Sequence, residues 1–532
     1  MVMKAMRTLL LLSSAATLSA VANANAADLP VKAKAVEYVR VCSLYGAGFW
    51  YIPGTDTCIR IGGYLRADVT FDGSGSHGQP AWNGDSGQRN RFFDDYVARS
   101  RMTLQVDTRT ATEYGVVRTF AHANIQFNNF GTSNPSAGTF AISLPGGLSG
   151  STLNGTGGGY VAVEYLFLQF AGFTFGRSAS AYATPWQGFP SNISSYLMGG
   201  QNTDIGVNNI QYTAQFGNGV SGTIGLEDGS TQDRTSIYNL STGLNAVGTT
   251  GYAYGGAHSP DINGNIRVDQ AWGLFQISAA AHEVDASYNI LTASSGAPTN
   301  LSEISGHPET KWGGSVQASV NIKNLPTGPG DDIKLDTDYA KGLTKNVIAT
   351  SSASPNFAMF GGSNRAYQSV GFGATTDAVF LPVANGGTGD LKLTDAWGMR
   401  GSYTHNWDAH WNSSLFGSAS WVHYSGSATD ITSAKGQYCF EYMTANKLSA
   451  AAATISGDFS CNPDYLFTQL GFNTRWTPVK NLTFTGEFQW FHLDQNFTGT
   501  AMLTPAAPMP TAKYEFKDQD TFMFQVRAQR NF

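Results

Sequence analysis

What most constrains this chain is an alternation of apolar and polar residues with period two, renewed in stretch after stretch from Ile59 to the C-terminus. Successive side chains of a strand point to opposite faces, so a period of two marks a two-faced strand. Between 59 and 71, Ile59, Ile61, Leu65, Ala67, Val69 and Phe71 alternate with Arg60, Tyr64, Arg66, Asp68 and Thr70. Arg99, Arg101, Thr103, Gln105 and Asp107 then alternate with Met102, Leu104 and Val106. Arg118, His122, Asn124, Gln126 and Asn128 likewise alternate with Val117, Ala121, Ala123, Ile125 and Phe127. Further stretches lie near 160–170, 173–177, 208–216, 220–227, 263–271, 273–283, 311–322, 332–341, 391–405, 410–424, 465–476, 482–493 and 521–532, which brings the count to sixteen. Within 160–170, Glu164 and Gln169 fall on opposite faces, which points to a β-bulge or a shifted boundary.

Connection lengths carry the next inference. Short links (171–172, 217–219, 271–273, 406–409 and a turn at Pro478) alternate with long ones at 128–159, 178–207, 228–262, 284–308, 342–390, 425–464 and 494–518. One end of the structure is therefore tight and the other elaborate. Short periplasmic turns, long extracellular loops and an even strand number are the plan of an outer-membrane barrel. The predicted fold is all-β: a 16-stranded antiparallel transmembrane β-barrel. Closure satisfies every backbone group in the bilayer without an exposed edge. Apolar faces then meet lipid and polar faces line an interior too wide for side chains to fill, leaving an aqueous channel.

Composition agrees. Charged residues make up only 13% of the 532 residues, beside 61 Gly, 32 Phe, 23 Tyr and 11 Trp, whereas an ordinary soluble domain carries roughly 25% charged residues. A net charge of −6 gives no reason to expect a nucleic-acid partner, and 42% hydrophobic residues exclude wholesale disorder.

The N-terminus points to export. Lys4 and Arg7 precede the apolar run 8–12 and a small-residue stretch ending Ala24-Asn25-Ala26, the layout of a cleavable signal peptide over residues 1–26. Its removal takes away two positive charges and brings the net charge from −6 to −8. Residues 27–57 then form a lead-in segment and 58–532 the barrel. Four cysteines fall into two local pairs, Cys42 with Cys58 and Cys439 with Cys461. Three pairings are possible. The local one is preferred because each pair brackets a loop that a bridge would staple, and a loop of ~15 residues gains roughly 3 kcal/mol in the chain-entropy model. Cys-x-x-Cys spacing and clustered His are lacking, so neither a metal nor a cofactor is expected. Asp336 and Asp338 share a face with Asp332 and Lys334, but the glycine and closing Glu of a calcium loop are missing there.

The segment Glu37-Tyr38-Val39-Arg40-Val41-Cys42 is followed by Gly46-Ala47-Gly48-Phe49, Tyr51-Ile52-Pro53-Gly54-Thr55 and Cys58-Ile59-Arg60-Ile61-Gly62-Gly63-Tyr64. Together with Phe173-Thr174-Phe175-Gly176-Arg177-Ser178, this block resembles the general porins of alphaproteobacteria, of the rhizobial and Brucella type. The resemblance implies a homotrimer in lipid and lipopolysaccharide that passes small hydrophilic solutes passively. It also implies that the third long loop, here about 178–207, folds inward as a constriction. A C-terminal Phe532 on a strand with Phe522, Phe524 and Val526 looks like the insertion signal of such proteins.

A passive pore needs only a narrow place whose radius and charge sort solutes. The candidate basic wall is Arg60, Arg66, Arg99, Arg101 and Arg118; pairing with Asp68, Asp107 or loop acids would silence it. In and beside the loop, Arg177, Trp186, Phe189 and Asp204 are the candidate constriction residues, with simple packing as the rival role of Trp186 and Phe189. Catalysis is not expected. No Gly-x-Ser-x-Gly, His-Glu-x-x-His or phosphate-loop pattern occurs, and His405, Asp408 and His410 cluster only at a predicted turn. A substrate-specific channel for sugars or anions, and a barrel whose long loops act as an adhesin or receptor, are the alternatives.

Overall fold

The computed structural model describes residues 40–72, 95–128, 143–144, 148–149, 159–193, 197–229, 234–293, 295–348 and 356–532. The expected signal peptide at 1–26 lies outside the described residues. Two compact units divide the chain, Met1–Cys58 and Ile59–Phe532. In the first, the Cys42–Cys58 disulfide closes a small knot in which Phe49 is buried with both cysteines, and Tyr45 and Tyr51 pack beside them. An antiparallel bridge between Val41 and Trp50 draws the segment together.

Sixteen barrel strands follow: β1 (Thr57–Phe71), β2 (Tyr96–Thr112), β3 (Gly115–Asn128), β4 (Gly159–Phe170), β5 (Phe173–Ser178), β6 (Val207–Gly217), β7 (Val220–Glu227) and β8 (Asp261–Gln270). The remainder are β9 (Gly273–Val284), β10 (Lys311–Lys323), β11 (Asp332–Lys341), β12 (Asp395–Asn406), β13 (Trp411–His423), β14 (Tyr465–Val479), β15 (Leu482–Gln495) and β16 (Gln519–Asn531). Each pairs with its sequence neighbours, and β16 returns to β1 in antiparallel register from Tyr64 opposite Asn531 to Phe71 opposite Phe524. Closure leaves no edge. The two faces sort as the sequence pattern requires: Leu65, Leu166, Ile266, Val316 and Phe472 are exposed on the outer face, whereas Gln276, Gln317, Gln469 and Gln525 are buried within.

Hairpin chemistry sets the tight end. Ala171 and Gly172 join β4 to β5 with φ of 49° and 87°, and two consecutive positive φ values match the strand twist in a two-residue turn. A Cβ on Gly172 would also lie 2.9 Å from the Tyr212 ring. Between β10 and β11, burial raises the Asp331 carboxyl, but hydrogen bonds from Thr327 Oγ1, Asn406 N and His405 outweigh it and hold the group below the usual carboxylate range. His405 is thus a turn anchor.

Two local departures from simple alternation stand out. In β4 the register passes from His122 opposite Tyr165 to Ala123 opposite Val163, so Glu164 is the extra residue of a bulge. The bulge places both Glu164 and Tyr165 on the lumen side, while Val163 and Leu166 stay outside. Near the long-loop end the inward face turns apolar: Phe467, Phe491, Leu493 and Met523 are buried in one cluster with Phe372, Tyr442, Phe497 and Tyr514 of the loops. These loops are themselves folded. Strands Phe357–Gly361, Gln368–Gly373, Ala512–Phe516 and Thr500–Leu503 form a sheet, and the helix Ala434–Ala445 is tied by the Cys439–Cys461 disulfide. Residues 391–393, which the alternation assigns to a barrel strand, pair instead with loop strand Thr376–Phe380, because the Thr394 N–H bonds Asp377 O and takes the chain out of the barrel ladder.

The outer face generates a first prediction. An Ile266→Arg variant loses about 2–4 kcal/mol in reversible unfolding from lipid vesicles, the cost of a cation on the lipid side of a barrel; an unchanged stability would take Ile266 off that face.

Candidate functional site

The connection from β5 to β6 turns into the barrel and lies along the inner face of β7 to β15. Most of its described residues are buried. Ala181 N donates to Glu227 Oε1 at 2.8 Å, and Gln276 Nε2 donates to the carbonyls of Tyr182 and Ala183 at 3.2 and 3.0 Å. Tyr182 OH reaches Asp338 Oδ1 at 3.0 Å and Trp186 Nε1 reaches Asp336 Oδ2 at 2.6 Å. Further on, Ile193 N donates to Glu487 Oε2 at 2.7 Å and Met198 N to Gln469 Oε1 at 2.9 Å.

Arg400 of β12 is the strongest clamp. Its Nε donates to Asp336 at 2.8 Å, Nη1 to the carbonyls of Leu197 and Gly200 at 3.1 Å each, and Nη2 to that of Gln201 at 2.8 Å. Both Arg400 and Asp336 side chains are 0% exposed, so the charge pair stands in a low dielectric, where its hydrogen bonds are strengthened. The loop can come this close only through glycine. A Cβ on Gly199, whose φ is 91°, would lie 2.4 Å from Met399 O, and one on Gly200 would lie 2.5 Å from Asp336 Oδ1.

The wall formed by β16 and β1 to β4 carries the arginines. Arg99 grips Asp68 with Nε at 3.0 Å and Nη2 at 2.7 Å, and Arg527 reaches the same carboxylate at 3.3 Å across the closing seam. Arg101 donates to Gln126 at 2.6 Å and stands 3.7 Å from Glu164. Arg66 donates to Gln529 at 2.8 Å. Lower down, Arg60, Arg109 and Arg118 gather on Asp107 at 3.9, 3.0 and 3.1 Å. Among the described lumen residues of these strands, seven guanidinium groups (Arg60, Arg66, Arg99, Arg101, Arg109, Arg118, Arg527) meet three carboxylates (Asp68, Asp107, Glu164), a surplus of four positive charges. Pairing with acids occurs, yet it does not neutralise the wall.

The other candidates take different places. Arg177 does not join the basic wall; its Nε donates to the backbone carbonyls of Glu164 and Ile205 and ties the loop's end to β4. Trp186 bonds Asp336 on the far wall, and Phe189 lies half-buried within the turn that its N–H closes on Trp186 O. Asp204 is half-buried, and its Oδ1 has no hydrogen-bond partner among the described residues. Three charged contributors escaped the reading of the sequence. Arg109 continues the parity of Asp107, Arg527 joins the wall only through closure, and Glu164 enters through the bulge, for which its mismatch with Gln169 was the available signal.

Comparison with known proteins decides the family. A family model described as a porin subfamily matches residues 28–524. The chain belongs to this porin subfamily. Among curated relatives, Porin Omp2b of Brucella suis biovar 1 (strain 1330) is 34% identical over 272 residues, 50% of this chain and 62% of the relative. Porin Omp2b of Brucella abortus (strain 2308) is likewise 34% identical over 272 residues. The aligned part of this porin thus spans less than two thirds of those relatives' length. A solved structure, the outer membrane channel DcaP of Acinetobacter baumannii, covers 91% of the porin and 99% of its own chain with a TM-score of 0.51 at 12% identity, a likeness of fold. Family and architecture place this porin in the bacterial outer membrane.

Removing Arg400 from its pair tests the clamp. Breaking one partner of a buried ion pair costs about 3–5 kcal/mol, so Arg400→Ala lowers the unfolding free energy in detergent or lipid by that amount; a change within about 1 kcal/mol would mean that the loop is held elsewhere.

Proposed function

We propose that this porin is a general diffusion channel that passes small hydrophilic solutes and ions across the outer membrane without a catalytic step. The observation that carries the reading is the division of the lumen. The inward loop is bound to the β7–β15 side, where it covers Glu227, Asp336, Asp338 and Glu487, and the arginine-bearing side faces the space that remains. Solutes crossing that space meet a fixed surplus of positive charge. Partly exposed guanidinium groups such as those of Arg60, Arg109 and Arg118 line that path, which suits transit over retention.

The same surplus sets a preference for anions. Fixed like charge in a narrow aqueous path raises the local concentration of counter-ions and lowers that of co-ions. Assembly as a homotrimer, which the family resemblance implies, and contact with lipopolysaccharide on the outer face complete the reading. Exposed Trp397, Trp411 and Trp476 stand on that face, where aromatic residues settle at membrane interfaces.

Planar-bilayer recording under a KCl gradient tests both parts. Stepwise insertions with ohmic conductance are expected, with a reversal potential on the anion side, and Arg99→Ala/Arg101→Ala, which removes two of the surplus charges, shifts it toward cations. Folded protein that gives no steps contradicts the channel; a reversal potential unmoved by the double variant contradicts the role of these arginines.

A further inference from the structure

Walls of an aqueous channel are polar, and two phenyl rings on the lumen side of the arginine wall therefore stand out. Phe120 of β3 sits directly opposite Asp107 of β2, and Phe167 of β4 sits opposite Phe120. Their ring centroids are 5.3 Å apart with planes inclined at 30°, and neither ring is buried. The Arg118 guanidinium lies over both, 5.1 Å from the Phe120 centroid and 5.5 Å from that of Phe167, a cation–π contact with the ring pair. It gives Nε and Nη2 to Asp107 at 3.1 Å each and Nη1 to Gln169 at 2.9 Å. A guanidinium has five N–H donors in a planar fork, so these bonds leave part of the fork for a solute. Arg109 and Arg60 approach the same carboxylate, and the three side chains are 28%, 43% and 27% exposed for Arg109, Arg60 and Arg118. The group lies near the short turn that joins β2 to β3, at the periplasmic exit of the lumen.

We propose that Phe120, Phe167, Arg118 and Arg109 form a solute subsite for planar aromatic carboxylates of the benzoate class. The ring packs on the phenyl shelf and the carboxylate takes guanidinium donors beside it, the bidentate geometry for which arginine is suited. Inorganic anions would use the arginines and leave the shelf idle. Neutral sugars would use the shelf and leave the charge unanswered. A planar aromatic acid engages both. The subsite gains its role in transport from the channel reading above, although its binding chemistry stands apart from it.

Planar bilayers holding the full chain separate the two. Current steps in KCl alone report the channel, and titration with sodium benzoate or sodium acetate reports the subsite. Benzoate is expected to reduce the current at concentrations about tenfold below those of acetate, the size of an aromatic contact added to an ion pair. Phe120→Ala/Phe167→Ala brings the two half-blocking concentrations together, and Phe120→Leu/Phe167→Leu, which keeps an apolar filling without the aromatic faces, serves if the alanine pair does not fold. Saturation-transfer NMR of benzoate with the detergent-folded protein reads binding even from a chain that shows no conductance, with transfer expected in the wild type and lost in the double variant. Equal half-blocking concentrations for benzoate and acetate, or benzoate block and transfer that survive loss of both rings, overturn the proposal.

Discussion

Hydrocarbon offers a backbone N–H no partner, and everything in this porin depends on how β1 and β16 answer that constraint. Their pairing from Tyr64 with Asn531 to Phe71 with Phe524 turns sixteen strands into a surface without an edge. The same seam assembles the charge of the lumen. Asp68 and Arg99 come from the first two strands and Arg527 from the last, and Arg527 joins them only because the ends of the chain are neighbours. A fold requirement and a cluster of lumen charge are here one contact.

Inside the closed barrel, two opposing walls have different fates. Acids of β7, β11 and β15 are consumed by N–H and O–H donors of the inward loop, and the Arg400–Asp336 pair fixes its far turn. Desolvating that pair is costly in itself, so its value lies in orientation: carbonyls of Leu197, Gly200 and Gln201 converge on one guanidinium and leave the loop a single path. Arginines of the facing wall are held mainly by partners on adjacent strands of that wall, which spaces them along the lumen rather than letting them collapse onto the loop. Above both walls, the long connections build an apolar layer of their own around Phe372, Tyr442, Phe497 and Tyr514.

Much of this was legible in the residues. Period-two alternation and the regular exchange of short and long links identify strand number, closure and the inward-facing arginines, because a strand's side-chain period is fixed by its geometry. The local cysteine pairs are the ones found bridged. What stayed hidden depends on distance in sequence or on the loss of a clean period. Arg527 is nearly 460 positions from Asp68, and nothing local announces their meeting. Glu164 breaks the alternation, and its destination could be read only once the bulge had an observed register. Phe467, Phe491 and Leu493 look misplaced on a polar face until the folded loops that cover them are seen. Arg400, one arginine among many, has no signature of the clamp it forms, since its partners lie about 200 residues away.

The claim at the centre is that the conducting path runs between the arginine wall and the inward loop, not behind it. Cysteine substitution tests this against a favourable background, because all four native cysteines are in disulfides. Arg101→Cys and Ser319→Cys place thiols on the two sides of the loop, Ser319 being buried in β10 beneath it. A membrane-impermeant thiol reagent should cut the single-channel conductance of Arg101→Cys and leave that of Ser319→Cys unchanged. The opposite pattern, with the reagent acting at Ser319→Cys and not at Arg101→Cys, would contradict the account.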